Sequence, residues 1–153
     1  MTCIAWDGVT LAADKRGTFA GLARTVTKIF RVGERLVAVA GNCAEGMDML
    51  DWIRGGRVAA DFPPAQRDEK TWATVVLISH DGVELYERTP SPIKIEDRYF
   101  ATGAGRDYAL AAMHLGKSAR EGVEVACHFD VSCGNGIDTL TLEERPDATP
   151  VPS

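Results

Sequence analysis

Apolar and polar positions alternate with the period of a strand through most of this chain, and helical spacing takes over in only three stretches. Ile4 to Trp6 is a short strand, Asp7-Gly8 a turn signal, and Val9 to Gly17 a second strand, which together predict a β-hairpin. Arg24 to Phe30 alternates as a third strand. Arg35 to Ala40 reads as a buried strand ending at Gly41. Asn42 then suits a helix N-cap, and Cys43 to Arg54 carries Met47, Leu50 and Ile53 at helical spacing before Gly55-Gly56 ends the helix. Asp61 to Lys70, with two prolines, reads as a loop. Thr71 to His80 and Val83 to Glu87 form a second hairpin around Asp81-Gly82, and short strands follow near Ile93 and from Tyr99 to Thr102. One helix is predicted from about Arg106 to Arg120, with Tyr108, Ala112 and Leu115 on one face, and a second over Glu121 to Phe129. Ile137 to Leu142 is the last strand. The order predicts two sheets covered by helices in one domain over residues 1–143, with residues 144–153 a flexible, proline-bearing tail.

The first hairpin brings an acid to the start of the chain. With a three-residue loop, Asp7 to Val9, Trp6 pairs with Thr10 and Thr2 lies opposite Asp14, their Cβ atoms about 5 Å apart on one face. A two-residue loop slides the register and turns Asp14 to the other face. In the third strand, alternation sets Lys28 on the face of Val26 and Phe30, which is otherwise core-directed. A lysine there needs a partner, and Asp14 is the candidate. The alternative is an edge-strand lysine that discourages aggregation and does no chemistry.

Composition narrows the function classes. The 153 residues suffice for one domain with a sizeable core, and a hydrophobic share of 45% is that of an ordinary globular protein. The net charge of −5, without a basic cluster, argues against nucleic acid or an anionic membrane as the main partner. Trp6-Asp7-Gly8 interrupts any leader-like apolar run, and no stretch approaches the roughly 20 apolar residues of a membrane span. Cys3, Cys43, Cys127 and Cys133 show no paired short spacing and read as reduced cytoplasmic thiols. A metal site from Cys127, His128 and Cys133 matches no common zinc spacing, and no metal or organic cofactor is expected.

Thr2 is the candidate nucleophile. Removal of Met1 would leave a hydroxyl and a free α-amine on the same residue. Such an amine titrates near about pH 8, so it can accept a proton at neutral pH. A threonine that uses its own amine as base is one of the recognised activated nucleophiles. Many chains begin Met-Thr, so the remaining residues decide.

Those residues resemble the proteasome β-subunit family, and especially its compact bacterial relatives of the HslV peptidase type. The similarity runs from Thr2 to about Leu142. It rests on the Thr2 start, Asp7-Gly8 leading to Ala12-Ala13-Asp14-Lys15-Arg16, Thr27-Lys28-Ile29 and Val39-Ala40-Gly41. It continues through Ala101-Thr102-Gly103-Ala104-Gly105 before a helix and Asp130-Val131-Ser132-Cys133-Gly134-Asn135-Gly136-Ile137-Asp138. The resemblance implies an α+β fold, the four-layer αββα sandwich of N-terminal nucleophile hydrolases, in a compact version with one helix of the first pair reduced to the Asp61–Lys70 loop. It implies that Thr2 attacks a peptide carbonyl, that Lys28 favours the deprotonated hydroxyl and amine, and that Asp14 holds Lys28. The Gly41 N–H would donate to the oxyanion, a contribution of about 3–4 kcal/mol. Asp130 and Cys133 would orient the N-terminus. Gly17, Val39, Cys43 and Met47 would line the pocket beside the nucleophile, and their apolar character implies an apolar residue before the cleaved bond. Peptides or unfolded proteins are the implied substrates, a homo-oligomeric ring the implied assembly, a ring ATPase unfoldase the implied partner, and the cytoplasm the implied location.

The chain also departs from that family. Ala104 stands where members carry a serine that helps arrange the nucleophile, and Cys133 where a serine is common; a thiol is the poorer hydrogen-bond partner. The first hairpin is a few residues short, and the Asp61–Lys70 loop replaces a helix that often contributes to ring contacts. The rival reading is therefore a catalytically inert proteasome-fold ring or scaffold protein that retains Met1. Two further classes fall away. Gly103-Ala104-Gly105 lacks the third glycine and the acidic residue of a dinucleotide-binding loop. His80, His114 and His128 accompany no serine elbow.

Overall fold

The computed structural model describes residues 2–63 and 73–143. Met1, most of the Asp61–Lys70 loop, the start of the strand expected from Thr71 and the C-terminal tail lie outside the described residues.

Two sheets carry the chain. The first has the order β10-β1-β2-β11, from β1 (Ile4–Trp6), β2 (Thr10–Asp14), β10 (Phe100–Thr102) and β11 (Ile137–Thr141). The second has the order β5-β6-β7-β8-β9, from β5 (Ile29–Val32), β6 (Arg35–Gly41), β7 (Ala73–Ser79), β8 (Gly82–Tyr86) and β9 (Ile93–Ile95). Side-chain alternation sorts these strands into three apolar layers. Ile4, Trp6, Leu11 and Ala13 meet Leu36, Ala38, Val76 and Ile78 between the sheets. The opposite face of the first sheet, with Cys3, Ala5 and Ala12, is covered by α2 (Arg106–His114) and α3 (Ala119–Phe129). The opposite face of the second, with Val37, Val39, Val75 and Leu77, is covered by α1 (Cys43–Arg54). Strands β6 and β7 are apolar at almost every position because both of their faces are covered. The expected αββα order of layers is the observed one, with a 3-10 turn at Ala59–Asp61 leading toward the undescribed loop.

One alternative left open by the sequence is resolved, and three local expectations are corrected. The first hairpin takes the two-residue register: Trp6 pairs with Leu11 and Ile4 with Ala13, which leaves Gly8-Val9 as the loop, Gly8 at φ +94°. Asp14 therefore lies across from Cys3, not Thr2, and its N–H donates to the Cys3 carbonyl at 3.1 Å. The single strand expected over Arg24–Phe30 is broken. Residues 22–25 form β4 (Leu22–Thr25), paired with β3 (Arg16–Phe19) in a separate two-stranded sheet, and residues 26–28 carry the chain across to β5. The turn between β7 and β8 is His80-Asp81, because Ser79 pairs with Gly82. Finally, the helix expected to Arg120 stops at His114. Ser118 starts α3 with a full capping box, its hydroxyl accepting from Glu121 N–H while the Glu121 carboxylate accepts from Ser118 N–H. The buried face of α2 is Ala109, Ala112 and Met113, whereas Tyr108 and Leu115 are exposed.

Candidate active site

Asp14 ends β2 and is fully buried, so each lone pair of its carboxylate needs a donor. It receives four. Oδ1 accepts from Lys28 Nζ at 2.7 Å and from Cys3 N–H at 3.0 Å. Oδ2 accepts from Gly134 N–H at 3.1 Å and Arg16 N–H at 3.2 Å. Lys28, 6% exposed, lies in the crossing from the two-stranded sheet to β5 and is tied at its carbonyl to Val39 N–H at 2.9 Å. The reading of Lys28 as an edge-strand lysine is thus overturned by its burial and its ion pair. Alternation found the inward face of this residue even though the strand assumed for it is not there.

Thr2 is held as firmly. Its carbonyl accepts from Gly105 N–H at 3.1 Å, in the turn between β10 and α2. Gly103, at φ +93°, comes so close that a Cβ there would collide with the Thr2 carbonyl. The Gly103-Ala104-Gly105 run therefore serves close backbone approach to Thr2, and Ala104 itself is exposed.

Thr2, Lys28 and Gly41 open together into a cavity of about 260 Å3. All four residues expected beside the nucleophile, Gly17, Val39, Cys43 and Met47, line it. Asn42 caps α1 as expected, its side chain accepting from Glu45 N–H at 3.1 Å, and this aims Cys43 and Met47 at the cavity. Gly46 lets α1 sit against β6, since a Cβ there would collide with a Val39 methyl. Gly41 closes β6 at φ +92°, a backbone state that suits glycine.

Part of the wall was missed from sequence. Arg16, Thr18, Phe19, Val26 and Thr27 also line the cavity, and they come from the β3–β4 hairpin and the crossing that follows it. The available signal was Ala20-Gly21 between Phe19 and Leu22; both turn residues have positive φ, 49° and 78°, as a tight hairpin requires. A Cβ on Gly17 would stand 2.9 Å from the Phe19 ring, so glycine there keeps this wall in place.

Asp130 and Cys133 do not line the cavity. Asp130 ends α3, and its Oδ1 accepts from Ser132 N–H at 2.8 Å and Ser132 Oγ at 2.6 Å, which holds its carboxyl below the usual carboxylate range. Cys133 is buried behind Asp14. Burial first, then the Asp14 and Asp130 carboxylates, push its thiol up to about 11. Burial likewise raises Cys3, with Cys133 and Asp14 adding to it. All four cysteines are free thiols. Among the described residues no cluster of three or more His, Cys, Asp or Glu side chains is placed to hold a metal ion, and no helix is long and apolar enough to cross a membrane.

No protein-family model matches the chain. It is 29% identical to proteasome subunit beta 1 of Thermococcus gammatolerans, in an alignment covering 91% of this chain and 86% of that protein. It is 27% identical to proteasome subunit beta of Methanopyrus kandleri, covering 91% and 83%. Among solved structures it superposes on HslV from Trypanosoma brucei with a TM-score of 0.69 at 18% identity, covering 94% of this chain and 99% of that one. It superposes on Thiobacillus denitrificans BPH in complex with epoxomicin with a TM-score of 0.68 at 18% identity, covering 94% and 100%. The chain is thus similar in sequence to proteasome β-subunits over nine-tenths of its length and shares its fold with HslV.

Proposed function

We propose that this chain is a threonine peptidase whose nucleophile is Thr2, exposed as an N-terminal residue when Met1 is removed. The observation that carries the reading is the buried Lys28–Asp14 pair, whose lysine lines the same cavity as Thr2. Thr2 Oγ attacks the scissile carbonyl while the freed α-amine takes the hydroxyl proton. The Lys28 ammonium favours the alkoxide-like oxygen and the unprotonated amine over their protonated forms. The oxyanion that develops receives the Gly41 N–H. As the tetrahedral intermediate collapses, the C–N bond breaks and the amine of Thr2 returns its proton to the leaving amine. An ester to Thr2 remains. Water, deprotonated by the same amine, then attacks the ester and releases the acid product and free Thr2. Asp14 does not transfer a proton in this scheme; it fixes the ammonium.

The cavity wall supports an apolar residue before the cleaved bond, since Val39, Phe19, Val26 and Met47 line it and Gly17 adds no polar side chain. A homo-oligomeric ring, a ring ATPase partner and a cytoplasmic location belong to the same proposal through the family likeness. The rival, an inert proteasome-fold subunit retaining Met1, draws on Ala104, which supplies no hydroxyl near the nucleophile.

Intact mass and peptide hydrolysis separate the two. The peptidase is expected to lose the mass of one methionine and to cleave fluorogenic peptides with an apolar residue at the scissile position, and Thr2→Ala to abolish cleavage at unchanged assembly state. Retained methionine without cleavage would establish the inert subunit. A clear preference for acidic residues would overturn the pocket assignment alone.

A further inference from the structure

Asp14 depends on a loop whose one buried side chain is Cys133. Residues 130–136 between α3 and β11 form no regular element. They include Asn135 at φ +61° and Gly136 at φ +102°, and Val131 is 89% exposed. From this loop Gly134 donates its N–H to Asp14 Oδ2 and accepts from Lys15 N–H at 3.0 Å. What anchors it to the hairpin is Arg16. Its Nε donates to Asn135 Oδ1 at 2.8 Å and its Nη1 to the Val131 carbonyl at 2.7 Å. Asn135 in turn donates from Nδ2 to Thr25 Oγ1 at 3.0 Å.

The guanidinium covers Gly134. A Cβ on that glycine would stand 2.6 Å from Arg16 Nη2 and 2.8 Å from Cζ. The Arg16 main chain also donates to the same Asp14 oxygen that Gly134 contacts. A closed circuit results, running from the Arg16 side chain to the loop, from the loop to Asp14, and from Asp14 back to the Arg16 backbone. We propose that Arg16 is a positioning residue, which with Asn135 clamps the Val131–Asn135 loop so that the Gly134 N–H stays on Asp14 and the carboxylate stays under Lys28.

The geometry asks for arginine specifically. Two donors fixed on one rigid plane reach a side-chain oxygen and a main-chain carbonyl at once, and the same group covers a glycine. A lysine ammonium reaches one of those acceptors and leaves the other unpaired. Arg16 also borders the cavity, so its role has to be distinguished from substrate contact.

The inference rests on the peptidase reading for its kinetic arm only. Two variants test it: Arg16→Lys, and Asn135→Gly, which keeps the left-handed backbone and the net charge while removing the side-chain acceptor. Hydrogen exchange by mass spectrometry on the segment containing Gly134 is expected to quicken in both, with thermal unfolding reporting that the fold holds. Peptide hydrolysis is expected to fall about tenfold in kcat, equivalent to one lost hydrogen bond's worth of positioning, with KM within about twofold. If Arg16→Lys does not fold, Asn135→Gly alone decides. Unchanged exchange around Gly134 would overturn the clamp, as would a raised KM at unchanged kcat, which would make Arg16 a substrate contact. Should the wild-type chain cleave nothing, the peptidase reading falls while the exchange measurement still decides the clamp.

Discussion

Replacing Lys28 by methionine is the perturbation with the most to say about this molecule. The ammonium lies 2.7 Å from Asp14 Oδ1, with the two side chains 7% and 0% exposed. Its removal leaves a carboxylate with no water to reach. Breaking a buried pair by deleting one partner typically costs about 3–5 kcal/mol, because an uncompensated charge stays behind. Here three backbone N–H groups remain on the carboxylate, and such donors favour the ionised form, so the lower end applies: about 3 kcal/mol. For a chain of this size each kcal/mol moves Tm by roughly 2–4 °C, so the expected drop is about 6–12 °C.

The control is Lys15→Met. Lys15 Nζ is closer still to its partner, 2.6 Å from Asp138 Oδ2, but the side chains are 21% and 35% exposed. A pair wetted to that degree is worth about 1 kcal/mol or less. Burial, not distance, is expected to rank the two variants. Urea unfolding followed by tryptophan fluorescence at fixed protein concentration measures both, through the midpoint at unchanged slope. Trp6 and Trp52 are buried and report the core. The reasoning fails if Lys28→Met unfolds within about 1 kcal/mol of wild type, or if Lys15→Met costs as much. Peptide cleavage that survived Lys28→Met would separately sink the proposed mechanism.

Asp14→Asn is expected to destabilise by a similar amount, because the new NH2 group must face the N–H donors of Gly134 and Arg16 or of Cys3 and Lys28; a loss below about 1 kcal/mol in the same urea assay would contradict this. Gly103→Ala is expected to lower Tm well beyond Gly21→Ala, since both have positive φ but only Gly103 abuts the Thr2 carbonyl, while nothing lies within 4 Å of a Cβ on Gly21. Equal shifts would mean that backbone conformation alone matters there. With a thiol reagent at pH 8, exposed Cys43 is expected to react first and buried Cys3 and Cys133 only on unfolding, as counted by the mass added. Above the ordinary thiol value of 9.0 the unfolded chain loses protons that Cys133 keeps until about pH 11, so stability is expected to fall across that window. Cys133→Ala should flatten the slope, and an unchanged slope would refute the assignment.

Much of the layered fold was legible because alternation survives wherever a strand has two distinct faces. Leu36 to Ala40 sends Leu36 and Ala38 to one core and Val37 and Val39 to another, and the capped helix from Cys43 follows at once. The misread elements share a cause. Arg24 to Phe30 alternates without interruption, yet the chain changes sheets inside it, and a period of two carries no record of which strand lies alongside. The β3–β4 hairpin escaped notice for a related reason. Its residues are mostly exposed, so they bear no burial pattern, and the structure reads through the turn conformation of Ala20 and Gly21 instead. At α2 the helical spacing of Tyr108, Ala112 and Leu115 ran past the end, where only the capping box at Ser118 marks the new helix.

The candidate site was legible to a different degree, because its parts obey different constraints. The hairpin register decides which face Asp14 takes, and sequence left two registers open. Asp14 nonetheless meets Lys28 in the register found, since a carboxylate at the end of a strand needs only to reach its donors. Three of those donors, the N–H groups of Cys3, Arg16 and Gly134, are main-chain. The fold thus requires an acceptor at position 14 whatever stands at position 28, and an apolar residue there would strand the buried Cys3 N–H and the half-buried N–H groups of Arg16 and Gly134. No comparable demand fixes a cation at position 28. A buried pair is a poor device for stability alone, because replacing both of its members by well-packed apolar side chains is often neutral or better, although deleting one of them is costly. Under the proposed function Lys28 is explained by the cavity it shares with Thr2, and peptide cleavage by Lys28→Met, compared at equal folded fraction with wild type, is the measurement that separates a catalytic role from a structural one.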